Sequence, residues 1–581
     1  MKKARKLYLG INLEMDPSVA IVENGKVIAF SEEERHIRIK HAKNYYPKNA
    51  IKYCLDYASV TISEITQIAI NWDITAYDDG TMESFYQSIS DEYLVDQATL
   101  NWQKRNLKKR SWVEYRAFHE HELKKIFGDV AIPIIVDFPH HYTHAFHSYM
   151  QSGYDDAICI TLDGSGDQYS SVVWKCIGDS IDAIYKVKIP HSLGWLYSAI
   201  TEYLGFKAYD GEYKVMGLAA YGKKNAEIRQ QLEKIVHISD DGIGYTISPE
   251  YIHYGKHTFS SRYTDALIDL LGRPPRQSNE NVDDWHMGGA YELQAILERT
   301  VIRMANWAVG ETGLSRICIG GGVGLNVKLN SEIFKLSNVD NVFPHPLCSD
   351  SGAACGAALL ACYRDSKKHP ELLKTLSLGY SESNDNIIDI LKITKVSYKK
   401  CNDIASIVAK DLANGLVVGW FQGRMEAGPR ALGSRSILAN PTKEIYRDRV
   451  NAIVKFREEW RPFCPSILEE YAHKYFNEFT HAPFMVMAFH ANQLLQQDAP
   501  AIVHIDGTSR VQFVNKDSNP LYHKMITSFY ERTNVPVVLN TSFNVKGEPI
   551  VCTALDALRT FWGSGLDALA IGDYMIYKPK L

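Results

Sequence analysis

Two segments of the chain, 6–31 and 156–187, share one pattern of short strands, and this repeat limits the possible folds more than any other feature. In each copy an apolar strand is followed by a small polar turn and by two further strands. The Asn24-Gly25 pair is typical of a hairpin turn, and the second copy predicts a turn at 163–167. The duplication predicts two related halves that face a cleft, within a mixed α/β fold.

The length of the chain predicts several domains. A single hydrophobic core stops growing at roughly 250–300 residues, and this chain has 581. We therefore expect two to four domains. Polar residues around position 366 and at 381–386 predict the main boundary, which gives domains 1–370 and 371–581. The net charge of −4 argues against bulk electrostatic binding of nucleic acid, although a local basic groove is compatible with it.

The composition indicates a cytoplasmic protein. Ten cysteines without a CxxC pair predict neither a disulfide framework nor a thiolate zinc site. The sequence has no run of about 18 apolar residues, so we expect no membrane span and no membrane partner. Residues 1–5 are basic like the start of a signal peptide, but Glu14 and Asp16 interrupt the apolar segment that would have to follow.

The segment 419–465 contains basic side chains among glycines, prolines and large apolar residues. Guanidinium groups match the oxygens of phosphate or carboxylate, and glycine lets a ligand approach the backbone. A solvated face is the usual meaning of a basic run. Here Trp420 and Phe463 place charges against apolar surface, where charge needs a partner. We therefore predict an anion pocket. Its basic residues are Arg424, Arg430, Arg435, Lys455, Arg457 and Arg461.

A second group of residues has the character of a metal site. If 139–145 is helical, His140 and His144 lie one turn apart on the same face, a spacing suited to two imidazoles on one metal. Two buried core histidines are the ordinary alternative. Asp163 and Asp350 each precede small residues and would place carboxylates at the rim of a cleft. Two histidines with two carboxylates fit iron, manganese or zinc better than calcium.

Two polar turns could approach a nucleotide. The predicted strand 316–319 runs into the glycines of 320–324, where a phosphate or ribose could meet the backbone. A merely tight turn is the alternative, because runs of glycine serve both purposes. Near the end of the chain, the predicted strand 536–540 leads into the polar turn 541–544.

These motifs make the chain recognisable. It resembles, over almost its whole length, the carbamoyltransferases of nodulation and antibiotic pathways, the group that contains the tobramycin and ansamitocin-type O-carbamoyltransferases. The motifs that carry the resemblance are SEEERHIRIKH (31–41), HHYTHA (140–145), LDGSGD (162–167), EYKVMGLAAYG (212–222), GGGVGLN (320–326), SDSGAACGAAL (349–359), GRMEAGPRALGSRSILANP (423–441), KFREEWRPFCPS (455–466), HIDGTSRVQ (504–512) and LNTSFNVKGEPIV (539–551).

The resemblance implies an N-terminal ASKHA-type domain, related to actin and sugar kinases, and a C-terminal YrdC-like domain. The second domain would make carbamoyladenylate from carbamoyl phosphate and ATP, with Mg²⁺. The first would pass the carbamoyl group to a hydroxyl of a small natural-product or sugar-like acceptor. A divalent metal, iron before others, would be held by His140, His144, Asp163 and Asp350. The adenylation site would be lined by Arg430, Lys455, Arg457, Arg461, Ser542 and Asn544, while Gly321, Gly322 and Asn326 would touch adenosine.

One turn departs from the family pattern. Family members carry a histidine-rich turn after the first strand, whereas 13–18 reads LEMDPS. If that histidine helps to deprotonate the acceptor, its role passes to Glu14, Asp16, His141 or solvent, or falls vacant. We interpret the change as a different acceptor rather than an inactive enzyme, with Asp16 and His141 as candidate catalytic groups beside Lys455, Arg461 and Arg430.

The acceptor pocket is expected to involve segments without family motifs, such as 73–116 and 251–284. Both segments could equally be surface elaborations. The sequence leaves the oligomeric state open, with a homodimer as one option.

Two other functions were compatible with parts of the sequence. A threonylcarbamoyladenylate-type tRNA modification enzyme could use the same pair of folds, but it would be expected to present a basic groove. A non-catalytic nucleotide-dependent switch of the actin kind needs one nucleotide site, whereas this chain carries residues for two.

Overall fold

The computed structural model describes residues 5–93, 97–252, 262–455, 460–461 and 463–579. The chain divides into two units. The first comprises the described parts of 1–12, 20–27 and 55–372, and the second those of 13–19, 28–54 and 373–581. The second unit therefore contains two N-terminal pieces that the predicted boundary at 370 assigns to the first domain.

The strands before residue 372 are β1 Leu7–Asn12, β2 Ser18–Glu23, β3 Lys26–Glu32, β4 Gln67–Ile70, β5 Ile134–Asp137, β6 Asp156–Gly166, β7 Tyr169–Ile177, β8 Ser180–Lys188, β9 Val236–Ile238, β10 Tyr245–Ile247, β11 Arg316–Gly320 and β12 Asn341–Pro344. The later strands are β13 Lys399–Lys400, β14 Val418–Phe421, β15 Arg435–Ala439, β16 Cys464–Leu468, β17 Ala488–His490, β18 Thr508–Arg510, β19 Gln512–Val514, β20 Val537–Ser542, β21 Ala568–Ile571 and β22 Tyr574–Tyr577.

The helices up to residue 366 are α1 Glu33–Ile37, α2 Lys48–Ala58, α3 Ile74–Asp78, α4 Thr81–Tyr93, α5 Gln97–Lys108, α6 Trp112–Phe127, α7 His140–Met150, α8 Leu193–Tyr203, α9 Glu212–Leu218, α10 Ala226–Ile235, α11 Asp265–Leu271, α12 Asp284–Thr312, α13 Val327–Phe334 and α14 Asp350–Ser366. The later ones are α15 Asn384–Ile393, α16 Ile404–Ala413, α17 Glu444–Arg449, α18 Ala472–Tyr475, α19 Gln493–Asp498, α20 Pro520–Thr533 and α21 Ala554–Trp562.

The predicted duplication is confirmed by two five-stranded sheets of the same topology. Their strand orders are β3-β2-β1-β4-β5 and β8-β7-β6-β11-β12. In each sheet a three-strand meander is extended by two parallel strands, since β4 runs parallel to β1 and β11 runs parallel to β6. All six residues of β1 and the first apolar residues of β6 are buried, as expected for central strands covered on both faces.

One predicted boundary in the second copy is wrong. The turn expected at 163–167 is instead the end of β6, which continues to Gly166. The pairing of β6 with β7 shifts register between Leu162 and Gly166, so the strand bulges there. A bulge redirects side chains without ending a strand, and the small polar residues that indicated a turn are equally suited to one.

The second unit contains a mixed eight-stranded sheet of order β13-β22-β21-β14-β15-β20-β16-β19. β14 runs parallel to β21 and antiparallel to β15, and β15 pairs antiparallel with β20. The strand predicted at 536–540 extends to Ser542, so Thr541 and Ser542 belong to the strand rather than to a turn. This sheet positions the basic segment, because β14 and β15 border the loop 422–434.

Two further findings concern the cysteines and the apolar character of the helices. All ten cysteines lie in the described part of the chain; they are buried and form no disulfide bonds. Among the residues that the structure describes, we find no helix that is both long and apolar enough to cross a membrane.

Close contact between β1 and α14 gives a first prediction. A Cβ added at Gly10 would lie 1.8 Å from the carbonyl oxygen of Ala354, so Gly10→Ala must push the helix away from the sheet. We expect a loss of about 3 kcal/mol in the free energy of unfolding, measured by urea denaturation. Gly310→Ala is the matched control: no atom lies within 4 Å of its new Cβ, and a helical alanine should gain about 0.5–1 kcal/mol. Equal effects of the two variants would contradict the packing argument.

Candidate functional site

Two histidines and two aspartates converge in the first unit. Their nearest ligand atoms, from His140, His144, Asp163 and Asp350, all lie within 4.8 Å of one another. The two Nε2 atoms are 3.1 Å apart. Asp163 Oδ2 lies 3.6 Å from His140 Nε2 and 3.4 Å from His144 Nε2, and Asp350 Oδ1 lies 3.6 and 3.9 Å from the same two atoms. These separations are those of atoms that share one divalent ion at about 2.0–2.2 Å.

The local fold explains how these four residues meet. α7 begins at His140, so the predicted helical spacing of the two histidines is confirmed. Asp163 lies in the bulge of β6, and Asp350 is the first residue of α14. The Nδ1 atom of His140 lies 3.2 Å from the carbonyl oxygen of Asn71. Donation to that carbonyl leaves Nε2 of a neutral ring available to a metal, the arrangement expected around metal-bound histidines.

The electrostatics of this cluster favour a cation. Burial lowers the pKa of His140, but the hydrogen bond with Asp163 and the charge of Asp350 outweigh burial and raise it to about 9. Burial and the charge of His140 hold the pKa of His144 well below its usual range. Burial alone would raise the pKa of Asp163, yet His140 and His144 hold it below its usual range. Two half-buried carboxylates beside two buried imidazoles thus favour positive charge between them.

The glycine turn after β11 lies against the same cluster. The backbone N–H of Gly322 donates to Asp163 Oδ2 at 3.1 Å. Gly321 has a φ of 82°, and a Cβ there would lie 2.2 Å from the carbonyl oxygen of Leu162. Asn326 caps α13 and pairs its amide with Gln294, at 2.9 and 3.0 Å. The structure therefore brings Gly321 and Gly322 beside a predicted metal ligand, and Asn326 to the start of the following helix.

A buried lysine organises the second unit. Lys455 ends the π-helical turn Val450–Lys455, and its Nζ lies 2.5 and 3.3 Å from the carbonyl and hydroxyl oxygens of Ser542. It also lies 3.0 and 2.8 Å from the carbonyl and amide oxygens of Asn544. The structure thus brings together three of the residues predicted for adenylation. The oxygens of Ser542 and Asn544 are neutral dipoles that hold the ammonium group in a fixed position.

The loop that carries Arg430 is fixed beside this lysine cluster. Asn540, two residues before Ser542 on β20, donates to the carbonyl oxygen of Ala431 at 3.1 Å. Gln512 donates to the carbonyl oxygen of Leu432 at 2.9 Å. Arg430 and Arg461 are both half-buried. Arg457, predicted to line the same site, lies outside the described residues.

Comparison with known proteins agrees with both units. A family model described as the carbamoyltransferase N-terminus matches residues 7–359, and one described as the carbamoyltransferase C-terminus matches residues 409–578. The chain belongs to the carbamoyltransferase family. The resemblance drawn from the sequence motifs is therefore confirmed, and the protein is an enzyme of the transferase class.

Three individual matches illustrate the relationship. Nodulation protein NolNO of Sinorhizobium fredii is 35% identical over 573 residues, which cover 97% of this chain and 79% of that protein. The 3'-hydroxymethylcephem-O-carbamoyltransferase of Amycolatopsis lactamdurans is 33% identical over 259 residues, 45% of this chain and 48% of that enzyme. Among solved structures, component A of (R)-2-hydroxyglutaryl-CoA dehydratase from Acidaminococcus fermentans matches with 13% sequence identity and a TM-score of 0.32. The match covers 62% of this chain and 100% of that protein. A structural similarity at this level does not indicate a function.

Two of the six basic residues predicted for the anion pocket of this carbamoyltransferase have a structural role. Arg435 is fully buried, donates to the carbonyl oxygens of Gln422 and Tyr380 at 2.9 and 3.1 Å, and stacks 3.7 Å above the ring of Phe421. Arg424 donates to backbone carbonyl oxygens, including that of Ile28 at 3.0 Å. Their guanidinium groups hold chain segments together, because backbone oxygens occupy the donors that would bind an anion.

The predicted base His141 has an unsuitable position. Its side chain is buried, with Nδ1 3.0 Å from Thr161 Oγ1 and Nε2 3.0 Å from the carbonyl oxygen of Tyr169. Burial and the charge of His140 lower its pKa to about 4. Because both ring nitrogens are engaged inside the fold, this geometry argues against proton transfer from an acceptor to His141.

The structure also brings together a histidine and an aspartate that are distant in the sequence. His41 Nδ1 lies 2.6 Å from Asp16 Oδ1, and its backbone N–H donates to Glu34 Oε2 at 2.7 Å. His41 ends the family motif 31–41 and lies 25 positions after Asp16 in the sequence. Only folding shows that these two side chains meet.

Arg435 gives a second prediction. Arg435→Lys retains the charge but cannot reach carbonyl oxygens in several directions or stack on an aromatic ring. We expect a loss of about 2–3 kcal/mol in the free energy of unfolding, measured by urea denaturation with tryptophan fluorescence. Arg447→Lys, at a residue paired with Asp448 near the surface, should change it by less than about 0.5 kcal/mol. If Arg435→Lys leaves the free energy of unfolding unchanged, the structural role of Arg435 is refuted and it remains a candidate anion-binding residue.

Proposed function

We propose that this carbamoyltransferase is an ATP-dependent O-carbamoyltransferase that works through carbamoyladenylate. Water hydrolyses carbamoyl phosphate to carbamate and phosphate, and a carbamate oxygen attacks the α-phosphorus of ATP with release of pyrophosphate. An acceptor hydroxyl then attacks the carbamoyl carbon, and AMP leaves. The observation that carries the proposal is the buried Lys455, held by Ser542 and Asn544 beside the loop of Arg430.

The adenylation chemistry brings several negative groups together. A carbamate and a triphosphate repel each other, so their approach requires cations that are fixed before the reaction begins. Lys455 is held by four oxygen contacts, so the chain itself fixes the position of its ammonium group. Arg430 and Arg461 would supply further charge, and Mg²⁺ would accompany ATP. Asn544 is itself fixed by donation to the carbonyl oxygen of Glu548 at 2.6 Å.

In the first unit we propose a divalent metal, iron before others, held by His140, His144, Asp163 and Asp350. When bound, it would supply a fixed positive charge for a nucleotide phosphate and for the carbamoyl oxygen. The donor set fits, because two imidazole nitrogens and two carboxylates suit a transition metal. The chain's own residues orient it: Asn71 fixes the ring of His140, and the N–H of Gly322 fixes Asp163.

The acceptor is proposed to bind near the helices α3–α6, which cover the predicted segment 73–116. The ring of Trp72, just before α3, lies 4.8 Å from that of His140, and Arg110 stacks 5.0 Å from Trp72. Aromatic and guanidinium groups suit a hydroxylated ring compound. The name of the cephem relative supports a small natural-product acceptor. Part of the other predicted segment, 251–284, lies outside the described residues.

Adenylation gives the third prediction. Given ATP, Mg²⁺ and carbamoyl phosphate, the wild-type protein should release AMP and pyrophosphate, and omission of carbamoyl phosphate should abolish this. Lys455→Ala should lower the rate by about 100-fold or more. Lys474→Ala removes a lysine paired with Asp498 and is the matched control. It should leave the rate of AMP release unchanged. Unchanged circular dichroism of both variants would exclude misfolding. Release of ADP, or AMP formation that persists in Lys455→Ala, would overturn the mechanism.

Metal binding gives the fourth prediction. Protein purified without oxygen should contain about one iron or similar ion per chain by mass spectrometry. His144→Ala or Asp350→Ala should lower the content by at least about 10-fold, because each removes a direct ligand. His237→Ala, at an exposed histidine, should leave it unchanged. The readout is independent of activity, and a metal content that survives both ligand substitutions would refute the site.

A further inference from the structure

We propose that Asp167 is a positioning residue of the transfer site, which holds the metal ligand His140 and the start of α3 in one fixed arrangement. This inference rests on the proposed function and concerns its metal centre. Its starting point is a carboxylate that accepts two backbone hydrogen bonds. Asp167 Oδ2 accepts from the N–H of His140 at 2.9 Å, and Oδ1 accepts from the N–H of Asp73 at 3.2 Å. All three residues belong to the first unit.

The carboxylate takes the place of a local cap at the start of α7. The first N–H groups of a helix have no acceptor within the helix itself, and His140 is the first residue of α7. The preceding residue, Pro139, makes no side-chain hydrogen bond that caps the helix. Asp167, 27 positions after His140, supplies the acceptor instead. Its negative charge also suits the positive end of the helix dipole.

Three consecutive residues before α3 hold His140 from another side. The carbonyl oxygen of Asn71 lies 3.2 Å from Nδ1 of His140, and the ring of Trp72 lies 4.8 Å from the imidazole. The N–H of Asp73 is tied to the N–H of the same histidine through Asp167. This segment leads into the helices α3–α6, where the acceptor is proposed to bind. Asp167 therefore fixes how the acceptor side of the site meets a metal ligand.

The conformation of Asp167 has a local explanation, whereas its carboxylate does not. Asp167 and Gln168 form the turn between β6 and β7, and Asp167 has a φ of 53°. Asparagine, aspartate and glycine all suit such a position in a hairpin turn. Of the three, only aspartate offers two acceptor oxygens, because the amide of asparagine has one and glycine has none. The two N–H donors thus explain why this turn carries aspartate.

The same end of β6 carries a direct metal ligand. Asp163 and Asp167 both belong to the motif 162–167, and the bulge of β6 lies between Leu162 and Gly166. A Cβ added at Gly166 would lie 2.3 Å from Cδ2 of His140, so the backbone of this strand approaches the histidine ring closely. One strand end therefore supplies one ligand of the metal and holds a second ligand in place.

A hydrogen bond to the backbone of a ligand matters because coordination tolerates little displacement of the donor atoms. Residues behind the ligands typically change metal affinity about 10- to 100-fold when they are replaced. Asp167 is not one of the four residues whose atoms converge on the site. It acts through the backbone of His140, just as the carbonyl of Asn71 acts through the ring.

The test uses Co²⁺, whose visible absorption spectrum depends on the geometry of its ligands. Metal-free protein is titrated with Co²⁺ against a competing chelator, and the spectrum is recorded at saturation. Asp167→Asn should weaken binding about 10-fold, because one N–H donor then faces an amide NH₂ group. Asp167→Gly should weaken binding by about 10- to 100-fold, since glycine keeps the turn but offers no acceptor. Both variants should also change the spectrum at saturation, which a lower stability of the fold would not do.

Asp137→Asn is the matched control. Asp137 also accepts from an N–H of α3, that of Thr75 at 3.1 Å, and its described hydrogen bonds go to Thr75 rather than to α7. This variant should bind Co²⁺ within about threefold of the wild type, with an unchanged spectrum. Equal losses in Asp137→Asn and Asp167→Asn would show that the effect arises from α3 alone, and would overturn the proposal.

Two other results would also overturn it. If both Asp167 variants bind Co²⁺ within about threefold of the wild type and keep its spectrum, Asp167 does not position His140, although the metal site itself stands. If the wild type binds no Co²⁺, the proposed metal site fails and this inference fails with it. Circular dichroism identifies a variant that has not folded. Because glycine adopts positive φ without strain, Asp167→Gly decides the test if Asp167→Asn does not fold.

Discussion

Burial of charge is the constraint on which the rest of this structure depends. An ionised group removed from water must find an opposite charge or several hydrogen bonds, because an unpaired one costs several kcal/mol. The chain meets this requirement in three ways: Arg435 lies among carbonyl oxygens, Lys455 lies among the oxygens of Ser542 and Asn544, and Asp163 lies between two histidines. The first arrangement holds backbone segments together, and the other two are the proposed sites for an anion and for a cation.

This difference separates structural from functional charges better than composition does. The guanidinium of Arg435 donates from both Nη atoms to backbone carbonyl oxygens and is thus part of the fold. The ammonium of Lys455 is held by oxygen atoms of Ser542 and Asn544, so its charge occupies a fixed position. Similarly, the two carboxylates near His140 gain from a cation. Both proposed sites therefore consist of charged side chains that the protein's own contacts hold in fixed positions.

The duplicated sheets explain where these charges lie. Each central strand, β1 or β6, is mostly apolar, and polar residues lie at its C-terminal end. Glycine at position 10 lets α14 approach β1, which places the start of that helix, and hence Asp350, beside α7. Packing of small residues in the core thus determines ligand geometry at the site.

The sequence alone determined the mixed α/β class, the duplication, the spacing of His140 and His144 on α7 and the family, because each depends on local periodicity or ordered motifs. It did not determine that β6 continues through 163–166, since small polar residues suit a bulge as well as a turn. It also could not separate Arg435 from Lys455, or show that both ring nitrogens of His141 are engaged inside the fold. Those distinctions depend on which distant atoms surround a charge or a ring nitrogen, and only tertiary structure brings such atoms together.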